Sequence, residues 1–206
     1  MVSNYNPEIH HRRSIRLKGY DYSQPGLYFI TICTHQRKWL FGQVQHGAME
    51  LNHFGEIADA EWLKTAEIRN NVELLEYVIM PNHIHGIILL NDLENDNRRG
   101  TMHRAPTTTP HRAPTTTPHR APTYEQFGKP TPNTIPTIIR GYKSSVTKQI
   151  NDLRNVSGAP VWQRNYYEHI IRDENALNRI CAYIQTNPVK WKDERYFAKE
   201  TNNEIN

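Results

Sequence analysis

Apolar positions in the first part of the chain fall into short runs separated by polar, turn-forming stretches. Residues 27–34 (LYFITICT) are rich in β-branched and aromatic side chains and follow a Pro25-Gly26 turn signal, which predicts a central strand. Residues 55–68 carry Ile57, Trp62, Leu63 and Ala66 at helical spacing and predict a helix. Two apolar runs, 74–80 and 83–90, flank Pro81-Asn82 and read as a β-hairpin. Farther on, Ile138, Ile139, Tyr142, Val146 and Ile150 stripe one face of a helix over 134–153. Residues 162–171 predict a strand, and 174–186 a helix with Asp173 as its N-cap. The order strand, helix, strand, strand, helix, strand, helix predicts an α+β, ferredoxin-like sandwich with one antiparallel sheet and an added C-terminal helix.

One tract breaks the pattern. HRAPTTTP fills 103–110, recurs at 111–118 and begins again at 119–123. With a proline every few residues and no large apolar side chain, it cannot offset its ordering entropy by burial. Residues 92–132 are therefore expected to be a disordered repeat insert, with His103, His111 and His119 part of a duplicated linker. The fold is expected to comprise 1–91 and 133–197, followed by a polar tail, 198–206.

Composition narrows the class. The 206 residues carry 25 Lys+Arg against 21 Asp+Glu, a formal charge of +4 that leans toward a polyanionic partner. Hydrophobic residues make up 37%, but aromatics at 10% are too frequent for a wholly disordered chain. Cys33 and Cys181 lie far apart in apolar settings and predict buried thiols, with no disulfide framework. No run is long and apolar enough to span a bilayer and the polar start lacks a signal-peptide core, so a cytoplasmic protein is expected. Gly42 and Gly47 have P-loop spacing, but Ala48 stands where the lysine belongs.

Two constellations carry candidate chemistry. His83 and His85 are two apart in a predicted strand, so the pleat sends both imidazoles to one face. Such a pair is half of a metal site, or simply two hydrogen-bonded histidines. On the last helix Leu177, Ile180, Cys181 and Ile184 form the stripe facing the sheet, while Tyr183 and Asn187 share one flank a turn apart. Tyr183 reads either as a boundary tyrosine or as a reactive phenol. Pro188 disfavours helical geometry at Asn187, which predicts that the amide sits where the helix ends, able to turn toward a partner. Arg12, Arg13, Arg37, Lys38, Arg140, Lys143, Lys148 and Arg164 are candidate phosphate contacts, interleaved with aromatic residues. Trp162, Tyr166 and Tyr167 are expected to pack in their strand.

The segments YVIMPNHIHGIILL at 77–90, VWQRNYYEHIIRDE at 161–174 and YIQTNPVKW at 183–191 together resemble the single-tyrosine HUH transposases. Within that group the chain is most similar to the repeat-associated tyrosine transposases, of the small insertion-sequence type. The resemblance implies that His83 and His85 are the two histidines of the HUH motif and bind one divalent cation, Mg²⁺ or Mn²⁺. It makes Tyr183 the nucleophile, and sets Asn187 where related transposases carry a glutamine that completes the metal site. The implied activity is cleavage and strand transfer of single-stranded DNA through a 5′-phosphotyrosine, with a free 3′-OH, on hairpin-forming repeats during DNA transposition. A domesticated nuclease acting on chromosomal repeats and a non-catalytic nucleic-acid binder remain alternatives, as do a monomer and a homodimer.

If 103–123 contributes nothing to the core, deleting it shifts the thermal midpoint by less than about 2 °C, because stabilising contacts worth 1 kcal/mol would already move it further. Differential scanning calorimetry of the deletion variant against the full chain checks this, and a large fall in midpoint would show that the tract packs on the domain.

Overall fold

The computed structural model describes residues 20–92 and 131–193. Arg12, Arg13, the HRAPTTTP repeat and the polar tail lie outside the described residues. Nine regular elements follow in chain order: β1 (Gly26–Cys33), β2 (Gly42–Gln45), β3 (Ala48–Leu51), α1 (His53–Glu67), β4 (Val72–Met80), β5 (His83–Leu90), α2 (Ile135–Leu153), β6 (Tyr167–Ile171) and α3 (Glu174–Thr186). Short 3-10 turns occupy His35–Arg37 and Trp191–Asp193. The main sheet has the antiparallel order β4-β5-β1-β6, and β2 and β3 form a separate hairpin. This is the α+β, ferredoxin-like arrangement with a further C-terminal helix.

Register divides the sheet into two chemically different faces. Ile32 lies opposite Ile84 and Ile30 opposite Gly86, and these residues look toward α1 and α2. There Ile30, Ile32, Ile84 and Ile88 join Trp62, Tyr142, Val146 and Ile150 in the larger core. The alternate positions face α3, where Phe29, Ile87 and Ile171 pack with Ile184, flanked by Leu177, Ile180 and Cys181. His83 and His85 have the parity of Ile87, so both belong to the α3 face.

Each helix starts at a side-chain cap. The Asn52 amide oxygen accepts from the Phe54 and Gly55 N–H groups at 3.0 Å, and the Asp173 carboxylate accepts from Ala176 N–H at 2.7 Å. Thr134 caps α2, whose first turn carries Pro136 where no N–H is needed. Gly86 is small for a packing reason: a Cβ there would collide with the Trp62 indole.

Four sequence expectations change. The β2–β3 hairpin escapes an apolar-run search because its strands are four residues long and alternately exposed. Its turn is made by His46 and Gly47, both at positive φ (51° and 77°), which suits the twist of a two-residue hairpin. Helix α1 begins at His53 because Asn52 both caps it and ties back to the Leu40 carbonyl at 2.9 Å. Strand β6 starts at Tyr167, five residues later than expected. Trp162 makes one isolated bridge to Thr34, while the Gln163 and Arg164 carbonyls accept from Lys143 Nζ instead of entering a ladder. Cys33 and Cys181 are half-buried, not buried: Cys33 is the last residue of β1, and Cys181 packs at the margin of the smaller cluster under α3.

No described helix is long and apolar enough to cross a membrane. The fit between Gly86 and Trp62 generates a prediction. Gly86→Ala is expected to cost about 1–3 kcal/mol by overpacking, and Trp62→Ala about 3–5 kcal/mol by opening a cavity. The double variant should lose less than the sum, because removing the indole makes room for the methyl group. Urea denaturation of the four proteins measures the coupling, and strict additivity would show that the two residues do not constrain each other.

Candidate active site

The site forms where the start of β5, the end of β1 and the last turn of α3 meet. Strand pairing sets Thr31 opposite His85, and Thr31 Oγ1 lies 2.8 Å from His85 Nδ1. The other nitrogen, Nε2, lies 3.0 Å from the Tyr183 hydroxyl. The Phe29 ring stacks on His85 at 5.4 Å and meets Tyr183 edge-on at 6.3 Å, bracing both. His83 and His85 are themselves in contact, their ring centroids 4.4 Å apart.

His83 is completely buried. Its Nδ1 lies 2.8 Å from Asn82 Oδ1, and the Trp191 indole covers it at 5.9 Å, with Trp39 against Trp191 at 5.7 Å. Asn187 is the C-cap of α3, one turn beyond Tyr183, and is 1% exposed. It retains helical angles (φ −57°, ψ −46°), contrary to the expectation from Pro188. The reason is a tightened last turn, in which Asn187 N–H donates to the Ile184 carbonyl at 3.2 Å and Lys190 N–H reaches back to Thr186 at 3.1 Å. The chain therefore curls inward after α3 and delivers Trp191 onto His83.

Four tyrosines show how environment sorts phenols. Tyr142 is fully enclosed and donates to the Ala58 carbonyl at 3.0 Å, and burial holds its pKa well above the ordinary value. Burial, then Asp59, pushes Tyr77 up to about 12. Burial also raises Tyr28, which donates to the Gln24 carbonyl at 2.9 Å. These three are kept protonated as structural donors. Tyr183, by contrast, is 37% exposed while its oxygen touches an imidazole.

The donor chemistry fits a divalent cation. His83, His85 and Asn187 carry imidazole nitrogens and an amide oxygen of the kind such an ion takes, and His83 Nε2 and Asn187 Oδ1 are both shielded from solvent. Among the described residues no cluster of three or more His, Cys, Asp or Glu gathers in a metal-binding arrangement.

The basic candidates divide by environment. Arg37 and Lys38 occupy the turn directly after β1, beside the site. Lys143 is committed to the protein: Nζ donates to the Gln163 and Arg164 carbonyls at 2.6 and 3.2 Å, and burial lowers it to about 8. Lys148 pairs with Asp152 at 2.6 Å. With Arg164 these two line a groove of about 580 Å³ between α2 and the 156–164 segment, and Arg140 lies exposed on α2. Trp162 packs with Phe41 and Tyr142, and Tyr166 joins the larger core. Tyr167 differs from the expectation of a packed residue: it is 43% exposed on β6, an edge strand of the sheet among the described residues. Thr31, Asn82 and Trp191 are contributors that sequence reasoning does not single out. Only Asn82, adjacent to the histidine pair, offers a signal.

No family model matches the chain. Among solved structures, it is similar to a REP-associated tyrosine transposase bound to a REP hairpin, with 18% identity, coverage of 85% of this chain and 73% of that one, and a TM-score of 0.48. It is also similar to a Deinococcus radiodurans R1 protein given a provisional transposase description, with 16% identity, coverage of 82% and 96%, and a TM-score of 0.37. A Haemophilus influenzae protein described as uncharacterized is 38% identical over 198 residues, spanning 96% of this chain and 99% of its own. Identity at that level over almost the full length of both chains makes them members of one family, and this protein belongs to the family of that Haemophilus influenzae protein.

Proposed function

We propose that this protein is a divalent-metal-dependent nuclease and strand transferase acting on single-stranded DNA, of the kind that carries out DNA transposition, with Tyr183 as nucleophile. The observation that supports this most is the contact of a partly exposed phenol with His85, 3.0 Å from Nε2. The resemblance of the surrounding motifs to single-tyrosine HUH transposases supplies the substrate class.

In this reading the Tyr183 oxygen attacks the scissile phosphorus. A Tyr–O–P bond forms as the phenol gives up its proton, the P–O3′ bond breaks, and the 3′ oxygen takes up a proton to leave as a hydroxyl. The 5′ side remains as phosphotyrosine, and attack by a 3′-OH on that phosphate reverses the step to join strands. Bond energy is conserved in the covalent intermediate, so no nucleotide triphosphate is required. Thr31 orients the His85 ring through Nδ1, and Phe29 keeps phenol and imidazole in register. His83, His85 and Asn187 would hold the cation, Mn²⁺ or Mg²⁺. When bound, such an ion neutralises the phosphate charge and aligns the scissile bond. Arg37 and Lys38, in the turn after β1, would contact the strand's phosphates, and hairpin-forming repeats are the expected DNA.

Labelled single-stranded DNA incubated with the protein and Mn²⁺, then run on a denaturing gel, is expected to give a covalent protein–DNA band. Tyr183→Phe should abolish the band and cleavage while leaving DNA affinity within about twofold, because only one hydroxyl is removed. Cleavage that survives in that variant would disprove the assignment of the nucleophile.

The metal requirement is tested separately. His83→Ala and His85→Ala should each abolish cleavage and weaken Mn²⁺ binding measured by titration calorimetry, with Asn187→Ala milder on both counts. EDTA should reproduce the loss, and full activity in excess chelator would overturn the metal-dependent reading.

A further inference from the structure

Asn82 fills the two-residue turn between β4 and β5, next to His83, and is completely buried. Its side chain is engaged at both ends: Nδ2 donates to the Arg37 carbonyl at 3.2 Å, and Oδ1 lies 2.8 Å from His83 Nδ1. The first contact determines the second. A carbonyl oxygen only accepts, so the NH2 group must face Arg37 and the amide oxygen must face the imidazole. An amide oxygen has no proton to give, so the hydrogen sits on His83 Nδ1. In the neutral ring, Nε2 then carries the lone pair.

The same residue ties two segments together. Its carbonyl accepts from Thr34 N–H at 2.9 Å and from Thr34 Oγ1 at 3.1 Å, while the neighbouring Pro81 carbonyl accepts from Leu40 and Phe41 N–H at 2.8 and 3.1 Å. The 34–41 segment is thus latched to the β4–β5 turn along its length. Within it, Gln36 and Arg37 lie consecutively at positive φ, 56° and 55°. Non-glycine residues hold that conformation only where their surroundings impose it, and the donation from Asn82 to the Arg37 carbonyl is one of the contacts that does so.

We propose that Asn82 is a positioning residue for His83: it selects the imidazole tautomer that offers Nε2 to a divalent cation, and it couples that ring to the backbone of the Arg37 turn. The importance of this for catalysis rests on the function proposed above, but the tautomer belongs to the metal-free protein and can be measured without it. Asn151 is the natural comparison. It is another buried asparagine, on α2, whose Nδ2 donates to the Ala159 carbonyl at 2.9 Å.

The test is long-range ¹H–¹⁵N NMR of the His83 ring in the full chain at about pH 8, where imidazole is neutral, together with Mn²⁺ titration of the same proteins. In the wild type, His83 is expected to carry its proton on Nδ1. Asn82→Ala should populate the other tautomer and weaken Mn²⁺ binding about 10–100-fold, as loss of a partner behind a metal ligand commonly does. Asn82→Asp keeps an acceptor for Nδ1–H but loses the donation to Arg37, so it should restore the tautomer, with Mn²⁺ affinity between those of the wild type and Asn82→Ala because the coupling to the Arg37 turn is gone. Asn151→Ala should lower the thermal midpoint and leave both readouts alone. An Nε2–H tautomer in the wild type, an Asn82→Ala protein with unchanged tautomer and affinity, or an Asp variant that behaves like the Ala variant would each overturn the proposal. A wild-type protein that binds no Mn²⁺ would instead remove the metal-dependent function, and the ring spectrum would still decide the role of Asn82.

Discussion

The pairing register of β1 with β5 is the constraint on which the site depends. With Thr31 opposite His85, the two histidines share a face with Phe29 and meet α3. A slip of one residue would turn both imidazoles toward Trp62 and Tyr142 and bring Ile84 under Tyr183. The other face enforces the register: Gly86 admits the Trp62 indole at a spot where any larger residue would clash. Packing that looks purely structural thus determines where a nitrogen lone pair sits on the far side of the sheet.

Burial separates the tyrosines in a similar way. Enclosing a phenol penalises its anion, so Tyr142, Tyr77 and Tyr28 remain donors to fixed acceptors and serve the fold. Tyr183 stands on the flank of α3, between the apolar stripe and solvent, and there it keeps both access and a basic partner. An amphipathic helix always has such a flank. What turns this boundary position into a site is the sheet beneath it, which brings His85 to the same height.

Much of this was legible in the sequence because two periodicities suffice to read it. Period two places His83 and His85 on one face, and helical spacing places Tyr183 and Asn187 on one flank. These inferences need only local geometry, and the contact of Tyr183 with His85 follows once the two elements pack. The parts that stayed hidden depend on partners distant in sequence. Asn82 looks like an ordinary turn residue until Arg37 and Thr34 fold against it. Lys143 reads as a surface cation until the 163–164 carbonyls claim it. The β2–β3 hairpin is too short and too polar to produce a hydrophobic signal, and the helical angles of Asn187 run against a local rule because the turn after α3 closes over Trp191.

The same register explains how the chain tolerates a long interruption between β5 and α2. In the antiparallel pair, Gly26 faces Leu90 at one end and Cys33 faces His83 at the other. The segment after β5 therefore leaves from the end opposite the histidines, five residues beyond His85, or ~17 Å at about 3.4 Å per residue. Both of its described ends are fastened there: Asn91 N–H donates to the Asn71 carbonyl at 2.8 Å, and Ile135 N–H to the Tyr22 carbonyl at 3.3 Å, just ahead of β1. Sequence inserted between these anchors lengthens a connection whose endpoints the sheet already holds together. The entropic cost of lengthening a flexible connection grows only with the logarithm of its length. Among the described residues, the geometry of His83, His85 and Tyr183 is set by β1, β5 and α3, and neither anchor of that connection enters it.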